Sequence, residues 1–160
     1  MEVAFLVDIN AVKLARWLRL LGYDAEVVPG ADDNRLIALA LKQGRVLLTR
    51  DTQIMLRRIV TTGKLKALLL QYDDPKQQLN QVVAAIGLNY NFGPFTRCLE
   101  CNKPLVNRSK EEVRGLVPPY VFDTQVEFKQ CSDCKRIYWR GTHWQNMNRD
   151  MEQLQAEVNL

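Results

Sequence analysis

The stretch that decides the fold is Val3-Ala-Phe-Leu-Val7, a continuous apolar run that ends at Asp8. A run of this kind, with no alternating polar positions, predicts a strand that is buried on both faces. After it, apolar residues recur at helical spacing from Val12 to Leu21, and Gly22 supplies a stop signal. The beginning of the chain therefore predicts a buried strand followed by an amphipathic helix.

The same strand-and-helix unit repeats along the first 90 residues. Further strands are predicted at residues 25–28, 46–49 and 67–70. Further helices are predicted after Asp32-Asp33 and up to Gly44, over 52–60 and over 75–86. Strands that alternate with helices at this spacing indicate a parallel sheet with helices on its faces, because short right-handed crossovers connect such strands. The predicted fold class is therefore α/β, a parallel sheet flanked by helices.

Composition divides the chain of 160 residues near residues 88–97, which are rich in Asn, Gly and Pro and typical of a linker. We predict a first domain over residues 1–90, a second, small domain over 95–147 and a polar C-terminal tail over 148–160. The cysteines support this division, because all four lie between Cys98 and Cys134.

The overall composition is that of a globular protein, with 47% hydrophobic and 25% charged residues. No apolar run approaches the roughly 18 residues needed to span a membrane, and the N-terminus lacks the pattern of a signal peptide. We therefore expect a cytoplasmic protein. The formal net charge of +4 is only a weak indication of an anionic partner. Four thiolates around one Zn²⁺ would reduce it to about +2.

Two CxxC pairs, Cys98-Leu-Glu-Cys101 and Cys131-Ser-Asp-Cys134, stand 29 residues apart. Each pair presents two thiolates on one side of a tight turn, and two pairs close a tetrahedral site with no open position. This predicts a structural Zn²⁺ bound by Cys98, Cys101, Cys131 and Cys134. Disulfides are the alternative, but nothing in the sequence indicates an oxidising compartment.

Three aspartates, Asp8, Asp33 and Asp51, stand at or just after predicted junctions between a strand and the following helix. In a parallel sheet such junctions lie at the carboxyl edge, where these folds form their sites. Converging carboxylates suit Mg²⁺ or Mn²⁺, which take oxygen ligands and can activate water for phosphodiester cleavage. Aspartate is also a favoured helix N-cap, so capping is the alternative interpretation of each position.

Longer motifs resemble a known family. The stretches Asp33-Asn-Arg-Leu-Ile-Ala-Leu-Ala40 and Gly44-Arg-Val-Leu-Leu-Thr-Arg-Asp51 are similar to the signature of PIN-domain ribonucleases, whose first aspartate is matched by Asp8. Four motifs resemble the narrower Mut7-C ribonuclease family: Lys13-Leu-Ala-Arg-Trp-Leu-Arg-Leu-Leu-Gly-Tyr-Asp24, Leu47-Leu-Thr-Arg-Asp51, Arg97-Cys-Leu-Glu-Cys101 and Tyr138-Trp-Arg-Gly-Thr-His-Trp144. This resemblance covers nearly the whole chain and implies a PIN-like nuclease domain followed by a zinc ribbon.

The resemblance also implies an activity and its residues. It implies a ribonuclease in which carboxylate-bound Mg²⁺ or Mn²⁺ activates water, with the catalytic ligands Asp8, Asp33 and Asp51. Asp32 is the rival of Asp33. Asp73 and Asp74 follow the last predicted strand of the first domain, and either could complete the site, although a turn before Pro75 explains both equally well.

The partner implied by the resemblance is RNA, single-stranded or similar to tRNA or rRNA. Basic residues near the aspartates are candidates for binding its phosphates: Lys13, Arg16, Arg19 and Arg50. The first three form a stripe along the first helix, and a solvated helix face is the alternative interpretation of that stripe. His143 could contact a phosphate or act as a general acid, and a capping or packing role is the alternative.

Two other functions compete with that of a processing ribonuclease. The chain could be a catalytically silent module that binds RNA, or the toxin of a toxin–antitoxin pair, a role in which PIN domains often serve. The presence of all three aspartates favours an enzyme over the silent module. The added zinc ribbon favours RNA processing over the toxin.

Overall fold

The computed structural model describes residues 2–158, and its internal contacts divide the chain after Pro94. The first unit contains, in chain order, β1 (Ala4–Val7), a 3-10 turn (Ile9–Ala11), α1 (Val12–Leu20), β2 (Asp24–Val27), α2 (Asp33–Gln43), β3 (Val46–Thr49), α3 (Thr52–Leu56), α4 (Arg58–Thr61), β4 (Ala67–Leu69) and α5 (Pro75–Ile86). The second contains β5 (Leu105–Arg108), a 3-10 turn (Glu111–Val113), α6 (Pro119–Thr124), β6 (Phe128–Cys131), β7 (Ile137–Tyr138) and α7 (Thr142–Val158). Among the helices of residues 2–158, none combines the length and apolar character needed to cross a membrane.

The first unit is built on a four-stranded sheet in the order β2-β1-β3-β4, and every neighbouring pair is parallel. This confirms the predicted α/β class. From β1 the chain crosses to β2 on one side, whereas from β3 it crosses to β4 on the other. Neighbouring strands whose connections leave in opposite directions open a crevice at their carboxyl ends. The topology therefore places a potential site beyond the ends of β1 and β3.

The core of this unit explains why the central strands are apolar throughout. Phe5, Leu6 and Val7 of β1 and Leu47 and Leu48 of β3 are fully buried. One cluster joins both strands to α2 and α3, with the buried members Leu6, Leu36, Ile37, Ala40, Leu47, Ile54 and Leu65. The remaining long helices, α1 and α5, pack against each other. Because the packed helices hold β1 and β3 in place, the carboxyl ends of these strands have a fixed position.

The predicted helix over residues 52–60 is wrong as a continuous element, because it is broken at Arg57. That residue has an extended backbone, with φ −60° and ψ 138°, and separates α3 from α4. The apolar spacing gives the reason. Ile54 is buried, and Ile59 packs against the same cluster. Five residues of a continuous helix would set them about 140° apart around its axis, and the break turns both inward.

The predicted basic stripe on α1 is also wrong as an exposed face. Lys13 is exposed and Arg16 is half-buried, but Arg19 is buried, and its Nε donates a 2.8 Å hydrogen bond to the backbone oxygen of Ala25. Residues three apart drift around a helix, so that Lys13 and Arg19 are separated by about 120°. Arg19 is therefore part of the packing between α1 and β2 and is withdrawn from the predicted RNA contacts.

The second unit contains a three-stranded antiparallel sheet in the order β5-β6-β7. Its hydrophobic cluster has the buried members Val113, Val117 and Phe128. Helix α7 runs to Val158, so the expected boundary between residues 147 and 148 falls inside it. Met151 and Leu154 of this helix are buried. The polar tail predicted over 148–160 is helical as far as residue 158, where it continues an element that begins at Thr142.

Candidate active site and metal centre

Asp8 directly follows β1 at the crevice beside β3. Its backbone N–H donates a 2.9 Å hydrogen bond to the carbonyl oxygen of Leu48, which ties the end of β1 to the neighbouring strand. The side chain is buried, and its Oδ2 accepts a 2.9 Å hydrogen bond from the hydroxyl of Thr49, while Oδ1 accepts from the N–H of Asn10 at 3.3 Å. Both oxygens are therefore anchored, which fixes the direction of the carboxylate.

Thr49, the last residue of β3, links two of the predicted aspartates. It is 0% exposed, and its hydroxyl donates to Asp8 and accepts a 3.0 Å hydrogen bond from the backbone N–H of Asp51. Asp51 also caps α3, because its Oδ1 accepts from the N–H of Gln53 at 2.8 Å. Sequence reasoning missed Thr49. The available signal was a hydroxyl at the end of a strand that is otherwise apolar, since a buried hydroxyl requires a partner.

Asp33 lies in the first turn of α2, and its side chain is within hydrogen-bonding reach of Asp51. Burial raises the pKa of Asp33, and the neighbouring carboxylates of Asp51 and Asp8 raise it further. The positive charge of Arg57 partly offsets this shift in pKa. Like charges held this close disfavour ionisation. Asp33 therefore lies near the two other aspartates that the sequence singled out.

The other acidic candidates have different partners. Asp32 is the N-cap of α2 and accepts a 2.8 Å hydrogen bond from the N–H of Arg35, and Asp74 caps α5. Asp73 is 91% exposed and forms an ion pair with Arg50. Two residues that the sequence offered as candidates, Asp73 and Arg50, are therefore paired with each other, and Arg50 directly precedes Asp51. His143 belongs to the second unit, where it is exposed near the start of α7.

The four cysteines of the second unit form a tight group. Their Sγ atoms all lie within 4.8 Å of one another, and those of Cys98 and Cys134 are 3.9 Å apart. Tetrahedral Zn²⁺ with Zn–S bonds of about 2.3 Å needs sulfur atoms about 3.8 Å apart. Within residues 2–158 this is the one group of three or more Cys, His, Asp or Glu whose ligand atoms lie so close. The group can bind a metal such as zinc.

The two CxxC turns have the same backbone. In the first, the N–H of Cys98 donates to the oxygen of Lys103, the N–H of Asn102 donates back to the oxygen of Cys98, and Asn102 has a φ of 63°. The second turn repeats these features at the equivalent residues Cys131, Lys135 and Arg136, with a φ of 65° at Lys135. Left-handed residues other than glycine are uncommon. Their repetition at matching positions indicates turns shaped to present thiolates.

The thiol of Cys101 resists ionisation when no cation is bound. A hydrogen bond with the Cys134 thiol, burial and the charge of Cys98 raise the pKa of Cys101 to about 12. The hydroxyl of Tyr138 lies 3.1 Å from the Cys98 Sγ and accepts a hydrogen bond from the N–H of Leu99. Because metal ligation requires thiolates, a bound dication would supply the charge that holds this group together.

The fold and the cysteine group define a class of protein, a parallel α/β domain flanked by helices and followed by a small module compatible with a zinc ribbon. The sequence model of the Mut7-C RNAse domain matches residues 3–151. The chain belongs to this family, which confirms the resemblance seen in its motifs, and membership indicates a ribonuclease with RNA as its substrate. Comparisons with curated proteins and with solved structures gave no match.

Replacing Thr49 with valine tests the link between Asp8 and Asp51. Valine keeps the shape but removes both hydrogen bonds of the hydroxyl, the one to the Asp8 carboxylate and the one from the Asp51 N–H. The free energy of unfolding should fall by about 1.5–3 kcal/mol for the first and by about 1 kcal/mol for the second. Thr49→Ser keeps the hydroxyl and loses one methyl group, at a cost of about 1 kcal/mol. Urea denaturation of both variants measures the difference. A Thr49→Val variant as stable as the wild type would contradict the hydrogen bonding described above.

Proposed function

We propose that this chain is a metal-dependent ribonuclease in which Asp8, Asp33 and Asp51 hold Mg²⁺ or Mn²⁺ at the carboxyl edge of the parallel sheet. The observation that carries the proposal is their convergence. They come from three different connections of the fold, and they lie near one another although their negative charges repel. This repulsion costs stability, and a bound cation would offset it.

The donor set fits a hard divalent cation. All three side chains offer carboxylate oxygens, the ligand type that Mg²⁺ and Mn²⁺ prefer, and no soft sulfur ligand belongs to this group. A cation bound there supplies acidification of a coordinated water and stabilisation of negative charge on the phosphate. This suits phosphodiester cleavage in RNA, the substrate that family membership indicates.

The residues of the site have separate tasks in this proposal. Asp8 is the most rigid ligand, because both of its oxygens are anchored within the fold. Asp51 is fixed by its capping bond, and Asp33 approaches from α2. Thr49 acts as a positioning residue that keeps two of the ligands at a fixed separation. Ligands held by rigid elements lose little freedom when substrate binds.

Several sequence candidates have supporting roles in the proposal. Arg50 and the exposed Lys13 contact RNA phosphates, and Asp73 orients Arg50 through their ion pair. Arg16 and His143 are retained as further RNA contacts. We assign Asp32 and Asp74 to helix capping, in accordance with their hydrogen bonds.

We propose Zn²⁺ as the metal of the cysteine group, with a structural role. Four sulfur ligands complete a tetrahedral shell and leave no position for water or substrate. The sheet β5-β6-β7 brings together the two CxxC turns. Their shared geometry supports a single closed site in which all four cysteines take part.

The test is cleavage of labelled single-stranded and structured RNAs by the purified protein in Mg²⁺, in Mn²⁺ or after brief treatment with EDTA. We expect cleavage with either ion, loss in EDTA, and recovery when Mg²⁺ but not Zn²⁺ alone is restored. The ends of the products identify the nucleophile. Attack by water leaves no 2′,3′-cyclic phosphate and tolerates a 2′-deoxy sugar at the cleaved position.

Two results would contradict the proposal. Cleavage that persists in EDTA and yields cyclic phosphate ends would exclude the metal-activated water. Tight binding of every RNA tested, without cleavage in either metal ion, would favour the catalytically silent module instead.

A further inference from the structure

Arg57 stands at the margin of the aspartate cluster, although nothing in the sequence singled it out. It is the extended residue that breaks the predicted helix into α3 and α4. Its Nη1 donates a 2.9 Å hydrogen bond to Oδ1 of Asn34, which lies 23 positions earlier in the sequence. Asn34 directly follows Asp33. The break in the helix therefore places a guanidinium beside the start of α2.

The guanidinium of Arg57 lies close to the aspartate cluster, because its hydrogen-bond partner Asn34 directly follows Asp33. Arg57 is exposed. A polyanionic substrate that approaches the aspartates would meet this positive charge at the solvent boundary.

Two other arginines of this unit have different surroundings. Arg19 is buried against the backbone of β2, and Arg50, proposed above as an RNA contact, pairs with Asp73. A guanidinium carries five N–H donors, and the hydrogen bond to Asn34 involves one nitrogen of Arg57. The planar fork of the guanidinium can donate two hydrogen bonds to two oxygens of one phosphate. Because the amide of Asn34 already orients the guanidinium, binding costs less conformational entropy.

We propose that Arg57 binds an RNA phosphate next to the three aspartates, and that Asn34 orients its guanidinium for this contact. The inference rests on the proposed ribonuclease function and adds a substrate-binding residue to it. Three carboxylates alone repel the RNA backbone. Arg57 brings a phosphate to the cluster and stabilises negative charge that develops on it during cleavage.

The chain offers a matched control in Arg58, which is exposed, carries the same charge and is the next residue. We expect Arg57→Ala to lower kcat/KM for a single-stranded RNA by about tenfold to a hundredfold, and Arg58→Ala to change it by less than about twofold. Arg57→Lys keeps the charge without the fork and should recover only part of the loss. Asn34→Ala should give a smaller loss, of about threefold to tenfold. Thermal unfolding of each variant verifies that the fold is intact.

A second measurement distinguishes an Arg57 that binds RNA phosphate from an Arg57 that only neutralises the negative charge of Asp33. In an Asp33→Asn background the carboxylate charge is gone, so that Arg57 has no anion at position 33 to neutralise. Adding Arg57→Ala to this background should still weaken binding of a fluorescent RNA oligonucleotide and reduce the slope of log affinity against log salt by about one. Equal affinities and slopes with and without Arg57 would overturn the inference.

Failure of this inference differs from failure of the proposed function. If Asp8→Asn, Asp33→Asn and Asp51→Asn all cleave RNA as the wild type does, the proposed function fails, and the binding measurement still decides the role of Arg57. If Asp33→Asn is inactive while Arg57→Ala behaves like Arg58→Ala in both assays, only the inference about Arg57 is overturned.

Discussion

Replacing Asp51 with asparagine should lower RNA cleavage by a factor of about 10² or more while leaving the thermal unfolding midpoint nearly unchanged. Asparagine caps a helix about as well as aspartate, so the hydrogen bond to Gln53 can be kept. What is lost is the negative charge that a divalent cation needs. The measurement is the initial rate of cleavage in Mg²⁺ and in Mn²⁺, with unfolding followed on the same preparations.

The variants Asp8→Asn and Asp33→Asn should lose as much RNA cleavage as Asp51→Asn, but their effects on the stability of the fold should differ. At Asp8 both oxygens accept hydrogen bonds, and an amide offers only one oxygen, so Asp8→Asn should destabilise the fold. At Asp33 the pKa is raised by burial and neighbouring carboxylates, which means that the charged form is unfavourable in the fold. Asp33→Asn should therefore stabilise the protein in metal-free buffer above pH 4 to 5, where the unfolded carboxyl is ionised.

The helix caps Asp32 and Asp74 provide the controls. Each caps a helix, as Asp51 does, and Asp32 is next to Asp33 in sequence. Asp32→Asn and Asp74→Asn should retain cleavage. If Asp32→Asn is inactive and Asp33→Asn is active, then the wrong member of the pair has been assigned to the metal. Normal cleavage by all three principal variants would exclude the mechanism, and capping alone would then predict a cost of about 0.5–2 kcal/mol for Asp51→Ala.

The elements that the sequence predicted well carry local signals at their ends. Strand β3 is apolar at residues 46–48, and α5 begins with the cap Asp74 followed by Pro75 at its first position. Gly44 ends α2 in the left-handed conformation, as predicted, and its N–H bonds to the carbonyl oxygens of Ala40 and Leu41. Signals of this kind act within a few residues, so sequence alone suffices to locate them.

Thr49 and Arg57 could not be assigned in the same way, because their roles depend on partners far away in sequence. Thr49 contacts Asp8 across 41 positions, and Arg57 contacts Asn34 across 23. Their pairing requires the strand order, which a single sequence does not specify. The spacing of five between Ile54 and Ile59 was nevertheless a usable sign that one helix could not continue through Arg57.

The acidic cluster itself was predictable only in part. Strand-to-helix junctions on parallel strands share one edge, so the convergence of Asp8 and Asp51 followed from the fold class. The choice between Asp32 and Asp33 did not, because adjacent residues at a helix start are equally good caps. In the structure Asp32 makes the capping bond, and Asp33 is the one whose pKa responds to the other two carboxylates.

Removal of zinc should have the largest effect on the second unit. Elemental analysis should find about one Zn per chain in the wild type, and the Cys101→Ser variant should no longer retain zinc. The effect is large because structural zinc sites contribute an apparent free energy of about 10–16 kcal/mol to folding. Within residues 2–158 the fully buried members of this unit's hydrophobic cluster are Val113, Val117 and Phe128, a small core for three short strands. Without metal, no ion connects the two CxxC turns.

Amide chemical shifts should show that loss of zinc affects the second unit and not the first. Residues of β5, β6 and β7 should lose amide chemical-shift dispersion in the Cys101→Ser variant, while those of β1 and β3 keep theirs, since the parallel sheet has its own buried core. Ser132→Ala is the matched control, because Ser132 is exposed within the second CxxC turn and supplies no sulfur ligand. It should retain zinc and full dispersion. A metal-free wild type with two disulfides and native spectra would contradict the zinc assignment, since cross-links would then stabilise the turns instead of thiolate–metal bonds.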